Sequence, residues 1–206
     1  NNLSYFSSPF DETAVDFLEK IECQAYKVAS PEIGHLPLIE KISRTGKPVI
    51  LSTGLATFNE IKTAINVLKK NKCKKIVILK CCSSYPADLN ELNLKTIQDI
   101  RRKFKTLVGF SDHTVDTIPA VTSTILGGCM IEKHFTYDKK INTVDKFFSA
   151  DPLKFKTMVQ QIRSAEESMG KIDYSLSKKS KISLNGKRSI YVSRNIRRGQ
   201  TITKKN

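Results

Sequence analysis

The sequence predicts an α/β protein built on a parallel sheet of the (β/α) barrel type. Three observations predict it. Short apolar runs rich in Val and Ile alternate with amphipathic helical patterns along most of the chain. The runs do not alternate polar with apolar, as expected of parallel strands covered on both faces. No GxGxxG or GxxxxGK[ST] loop follows any of them, which counts against a nucleotide-binding open sheet.

Taken in order, residues 3–7 read as a weak first strand, and 11–21 as a helix with Val15 and Leu18 on one face. YKVA (26–29) is the next strand, followed by a helix over 36–44. PVILS (48–52) precedes a helix over 57–71, which opens with a capping box: Thr57 serves the Glu60 N–H while Glu60 reaches back. KIVILK (75–80) leads to a helix over 92–104, LVGFS (107–111) to one over 117–126, and CMIEK (129–133) to the last. That helix, 151–170, has Asp151 as N-cap, Pro152 at its first position and Gly170 past its end. Six βα units are expected, against the eight of a closed barrel.

The texture changes after residue 170. Residues 171–187 are polar and lysine-rich and read as a linker. Residues 188–206 hold two short β-like runs around Arg197-Arg198-Gly199, too short for a core, and read as the opening of a second domain. The expected organisation is therefore 1–170, 171–187 and 188–206.

The 206 residues carry 35 Lys+Arg against 20 Asp+Glu. A pI of about 9.6 first suggests a polyanion partner. The distribution weakens that reading: through residue 170 there are 24 basic and 19 acidic side chains, and after it 11 basic residues face Asp173 alone. No aromatics are interleaved with those charges, so neither a nucleic-acid partner nor a membrane is expected. Lys69, Lys70, Lys72, Lys74 and Lys75 close a helix and complement its dipole. Five cysteines form no CxxC pair and fit a reducing compartment. The N-terminus has no basic region followed by an apolar stretch, and no run reaches the length of a membrane span.

In a barrel, chemistry collects at the C-terminal strand ends. There the sequence places Ser7-Ser8; Lys27, Ser30 and Glu32; Ser52-Thr53-Gly54; Ser83-Ser84-Tyr85; Ser111-Asp112-His113; and Glu132-Lys133-His134. Small hydroxyls with a lysine suit a phosphate, and two histidines on neighbouring strands suit a divalent metal. Each residue alone has a plainer reading as a turn, a cap or a structural histidine. A lysine inside an apolar strand is less easily explained that way. The residues alone also permit a Schiff-base aldolase with Lys27 as nucleophile, or a non-catalytic polyanion binder using the basic tail.

The words SSPFD (7–11), AYKVAS-x-E (25–32), GKPVILSTG (46–54), SSYPA (83–87), GFSDHT (109–114) and IEKHFT (131–136) closely resemble, in order and at the expected spacing, the sialic acid synthase family. That family comprises the N-acetylneuraminate, legionaminate and pseudaminate synthases. The resemblance implies a TIM barrel, a C-terminal antifreeze-like (SAF) domain beginning near Arg188, a homodimer and a cytoplasmic enzyme. It implies condensation of phosphoenolpyruvate with an N-acetylated amino sugar, giving a nine-carbon 2-keto acid and phosphate. C3 of phosphoenolpyruvate attacks the sugar aldehyde, water adds at C2, and the tetrahedral intermediate loses phosphate. Carried over by position, His113 and His134 hold Mn²⁺ or Mg²⁺. Lys27, Ser30, Ser52 and Ser111 grip phosphoenolpyruvate with Ser8 and Ser83 supporting. Tyr85 and Asp145 meet the sugar, and Glu32 is an acid/base. The family's first two strands and most of its SAF domain have no counterpart here, so the 206 residues by themselves are expected to be inactive. ASPEI (29–33), FFS (147–149) and GKIDYSLSKKSK (170–181) look most like the pseudaminate synthases, with N-acetylneuraminate and legionaminate synthases as alternatives.

Overall fold

A computed structural model describes residues 3–205. Five parallel strands form one sheet in the order β1-β2-β3-β4-β5. They are β1 (Tyr26–Val28), β2 (Val49–Ser52), β3 (Ile76–Cys81), β4 (Leu107–Asp112) and β5 (Ile131–Lys133). Each neighbouring pair is joined through a helix: α2 (Leu36–Arg44), α3 (Phe58–Lys70), α4 (Thr96–Phe104) and α5 (Ile118–Ile125). Helix α1 (Glu12–Lys20) precedes the sheet and α6 (Pro152–Met169) follows it. This is the α/β parallel sheet the sequence implies, with five strands rather than six.

The expected strand over 3–7 is reduced to one isolated parallel bridge, Ser7 to Tyr26. Tyr5 and Phe6 in that stretch are 51% and 45% exposed, so no second layer covers it as a buried parallel strand requires.

The register separates the two faces of the sheet. Tyr26, Val49 and Ile76 are paired neighbours, as are Val28, Leu51, Ile78 and Val108. All belong to the buried cluster that also holds Leu38, Ile42, Ile61, Leu68 and Ile97 from the helices. The other face carries Lys27, Ser52, Cys81, Ser111 and Glu132, because successive strand residues point to opposite sides. The apolar face thus fixes the sheet, and its alternation delivers the polar set to the opposite face.

Caps set the helix starts. Asp11 accepts from Ala14 N, and Asp151 from Lys154 N. The Thr57–Glu60 capping box is complete, with Glu60 Oε2 2.7 Å from Thr57 N. Thr57→Ala removes the hydroxyl half of that box. It is expected to lower stability by about 0.5–2 kcal/mol, read as a shift of the urea midpoint at unchanged slope.

The chain divides into two units, Asn1–Gly170 and Lys171–Asn206. In the second, the stretch expected as a linker carries α7 (Lys178–Ile182) and a 3-10 turn over Ser183–Gly186. No strand forms among the described residues of 188–206, where β-like runs were expected. Ile190, Tyr191 and Val192 lie exposed, with neither a partner strand nor a core to hold an extended pairing. All five cysteines are free thiols. Among the described residues no helix is long and apolar enough to cross a membrane.

Candidate active site

The site lies at the C-terminal ends of the strands, on the polar face. Lys27 occupies the middle of β1, is 7% exposed, and sets its Nζ 3.2 Å from Glu132 Oε1 on β5. The same oxygen accepts a 2.6 Å hydrogen bond from Ser111 Oγ at the end of β4. Two positively polarised groups therefore share one carboxylate across the sheet. Both are donors available to an anion that displaces it.

A second cluster surrounds Gly54, just past β2. Its N–H donates to Ser30 Oγ at 2.9 Å. A Cβ at Gly54 would lie 2.1 Å from Ser83 Oγ, 2.8 Å from Cys81 Sγ and 3.0 Å from Ser30 Oγ. Only glycine lets these groups approach the backbone so closely. Serine hydroxyls and a main-chain N–H are the donors a phosphate needs.

Two further atoms lack partners. Ser52 is 2% exposed, and its Oγ is buried without a hydrogen bond. Glu32, on the 3-10 turn Ser30–Gly34, likewise buries an unpartnered Oε2. Buried polar atoms are rarely left so, and both belong to the set expected to meet substrate. Ser8 is half-buried and reaches the site only through its neighbour Ser7, whose carbonyl accepts from Lys27 N at 3.0 Å.

The two histidines come together, with ring centroids 5.3 Å apart in an edge-to-face arrangement. His113 Nδ1 lies 2.7 Å from the Cys82 carbonyl, which can only accept. In the neutral ring the proton therefore sits on Nδ1, and Nε2 keeps its lone pair. His134 Nδ1 lies 3.3 Å from Asp145 Oδ2, the same second-atom support that orients a ligating imidazole. Tyr85 packs against both rings, and Phe148 against His134 and Tyr85. Burial pulls the His113 imidazole down, but the Cys81 thiol and the Cys82 carbonyl outweigh it and leave His113 raised. Burial and the nearby His113 hold His134 below its ordinary value, against Asp145 and Glu132. Burial raises the Cys81 thiol, yet His113, Ser30 and Ser111 leave it lowered.

Both rings fit a divalent cation as two nitrogen donors of a larger set. Among the described residues no three His, Cys, Asp or Glu side chains converge as a complete cage.

Beside the histidines lies a pair to which the sequence gives no role beyond a place at the strand ends. Asp112 and Lys133 face each other in the β4–β5 register, on the side opposite Ser111 and Glu132. They form a 2.8 Å ion pair with side chains 0% and 1% exposed. Lys133 Nζ also donates to the carbonyls of Thr114 and Asp116, at 2.6 and 3.2 Å. Asp112 Oδ1 accepts from Thr114 N and Oγ1. Each member immediately precedes a histidine, so the pair ties the two strand ends that carry the rings. Glu132 and Gly54 were legible only as rim residues. The period-two offset of Glu132 from His134 is the signal that places it on the same face.

A family model described as the NeuB family matches residues 1–174. Pseudaminic acid synthase of Helicobacter pylori is 38% identical over 209 residues, spanning 100% of this chain and 61% of that protein. N,N'-diacetyllegionaminic acid synthase of Campylobacter jejuni is 38% identical over 208 residues, spanning 100% and 62%. The crystal structure of N-acetylneuraminic acid synthetase from Leptospira borgpetersenii superimposes with a TM-score of 0.81 at 30% identity, covering 90% of this chain and 65% of that one. The chain spans about 60% of the length of the curated relatives it matches.

Proposed function

Since the chain belongs to the NeuB family, we propose that it carries the phosphoenolpyruvate-binding half of a nonulosonate synthase. That enzyme joins phosphoenolpyruvate to an N-acetylated amino sugar and releases phosphate. The observation that supports this most is the pair of buried, unpartnered atoms, Ser52 Oγ and Glu32 Oε2, each two residues along the chain from a member of the Gly54–Ser30–Ser83 cluster. Unsatisfied polar atoms cost about 1–3 kcal/mol each, and a bound substrate that pairs with them offsets that.

In this reading Lys27 and Ser111 exchange their shared Glu132 oxygen for the anionic groups of phosphoenolpyruvate, while Ser30, Ser52, Ser83 and the Gly54 N–H hold its oxygens, with Ser8 in support. Glu32 Oε2 faces the reacting carbons and moves a proton there. His113 and His134, whose Nδ1 atoms face the Cys82 carbonyl and Asp145, would hold Mn²⁺ or Mg²⁺ through Nε2. Bound there, such an ion polarises the sugar aldehyde as a Lewis acid. Asp145 orients His134 and, with Tyr85, offers the sugar a polar edge and a ring face. The enzyme is proposed to be a cytoplasmic homodimer with an SAF domain opening near Arg188.

The five strands present are fewer than the eight of a closed barrel, so activity is expected of protein in which the barrel is complete, and not of the 206 residues alone. For the sugar, pseudaminate-type substrate is the proposed class, on ASPEI, FFS and the lysine-rich stretch after Gly170. The test is phosphate release by the complete-barrel protein with 2,4-diacetamido-trideoxy-altrose against N-acetylmannosamine. Preference for the altrose is expected, with metal-dependent turnover lost in His113→Ala. Preference for N-acetylmannosamine would reverse the sugar assignment, and metal-independent turnover in His113→Ala would remove the histidines from the site.

A further inference from the structure

At the other end of the sheet, a pocket of about 740 Å³ opens among the N-terminal ends of β2, β3 and β4. Its walls include Lys69, Lys74, Lys75, Arg101 and Lys105, and no aspartate or glutamate. None of these five cations takes part in an ion pair among the described residues. Thr106, which also lines it, buries its Oγ1 without a hydrogen-bond partner. Ile76, Val77 and Leu107 supply apolar wall.

Dipole complementation does not account for this much charge. Helices α3 and α4 both end here, and each C-terminus carries the equivalent of about half a negative charge. Two such ends offset about one of five cations. Lys69 Nζ reaches the Phe104 carbonyl at 3.3 Å, which places one lysine on one helix end and leaves the others unengaged. Like charges lining one pocket lie within a Debye length and repel one another, so an anion there is favoured.

We propose that this pocket is a second anion site, taking a small molecule that bears a pyrophosphate group. Two adjacent phosphates set several negative charges against the surplus of about four positive ones, Thr106 Oγ1 gains a partner, and the apolar wall leaves room for an organic body. The inference does not depend on the reading of the strand-end site, because the two lie at opposite ends of the strands.

The test is calorimetric titration of inorganic pyrophosphate into the 206-residue chain. Saturable binding is expected, weakened at least tenfold in Lys75→Glu/Arg101→Glu and retained in Lys27→Ala. All three positions of the double variant and its control are checked for retained secondary structure by circular dichroism, and the neutral Lys75→Gln/Arg101→Gln should weaken binding in the same direction. Loss in Lys27→Ala but not in the double variant would place pyrophosphate in the strand-end site and overturn the proposal. So would the absence of saturable binding. Displacement of pyrophosphate by single-stranded RNA at far lower phosphate concentration would also overturn it, in favour of a nonspecific polyanion surface.

Discussion

Lys133→Met is expected to destabilise the protein by about 3–5 kcal/mol. It removes the only cation that pairs with Asp112 among the described residues, and the Asp112 side chain is fully buried. A carboxylate left there keeps its contacts to Thr114 but loses its counter-charge, and burying an uncompensated charge is far costlier than losing a surface pair. The three acceptors of Lys133, including the carbonyls of Thr114 and Asp116, lose their donor at the same time. Urea unfolding of the 206-residue chain measures the loss. The double variant Asp112→Leu/Lys133→Met is expected to recover a large part of it, because no charge then remains to desolvate. A loss below about 1 kcal/mol in Lys133→Met would show that the pair is solvated in solution. Since Asp112 and Lys133 each precede a histidine, the same change is expected to weaken divalent-metal binding at His113 and His134 even in molecules that remain folded.

Gly54→Ala acts on binding instead. Its Cβ would sit 2.1 Å from Ser83 Oγ and 2.8 Å from Cys81 Sγ, inside any real contact distance. The hydroxyl and the thiol must turn away, and overpacking of this kind costs about 1–3 kcal/mol. More important is what the methyl fills: the space between Ser30, Ser83 and the Gly54 N–H, where phosphate oxygens are proposed to sit. Phosphoenolpyruvate affinity is expected to fall at least tenfold, with a smaller effect on metal affinity at the histidines. Unchanged phosphoenolpyruvate affinity would move the phosphate away from this cluster. Equal losses of metal and phosphoenolpyruvate affinity would mean that the whole strand end had shifted.

Much of this was readable in the chain before folding. The five strands announced themselves because a parallel strand covered on both faces has to be a short unbroken apolar run, and VILS or IVILK admits little else. Thr57 with Glu60, and Asp151 with Pro152, marked helix starts through hydrogen bonds made within one turn. The histidines, the serines and Lys27 were legible as a rim. The misses have a common origin in contacts that depend on register. Residues 3–7 have strand composition, but only Ser7 finds a partner. The runs after residue 187 have strand composition, yet among the described residues none of them pairs as a strand. Asp112 and Lys133 were visible only as strand-end residues beside the histidines, and only the β4–β5 pairing shows them to be a buried ion pair. Glu132 was visible at the rim, yet its bond to Lys27 crosses from β5 to β1, which is a property of the curled sheet and not of any local pattern.

The central claim, that these strand ends hold phosphoenolpyruvate for a condensation in which water adds at C2, is tested most directly by the fate of one atom. Phosphoenolpyruvate labelled with oxygen-18 at the bridge between C2 and phosphorus is turned over by the complete-barrel protein with its amino sugar. The account predicts cleavage of the C–O bond and recovery of the label in inorganic phosphate. Recovery of the label in the 2-keto acid, or turnover through an adduct on Lys27 trappable by borohydride, would contradict it.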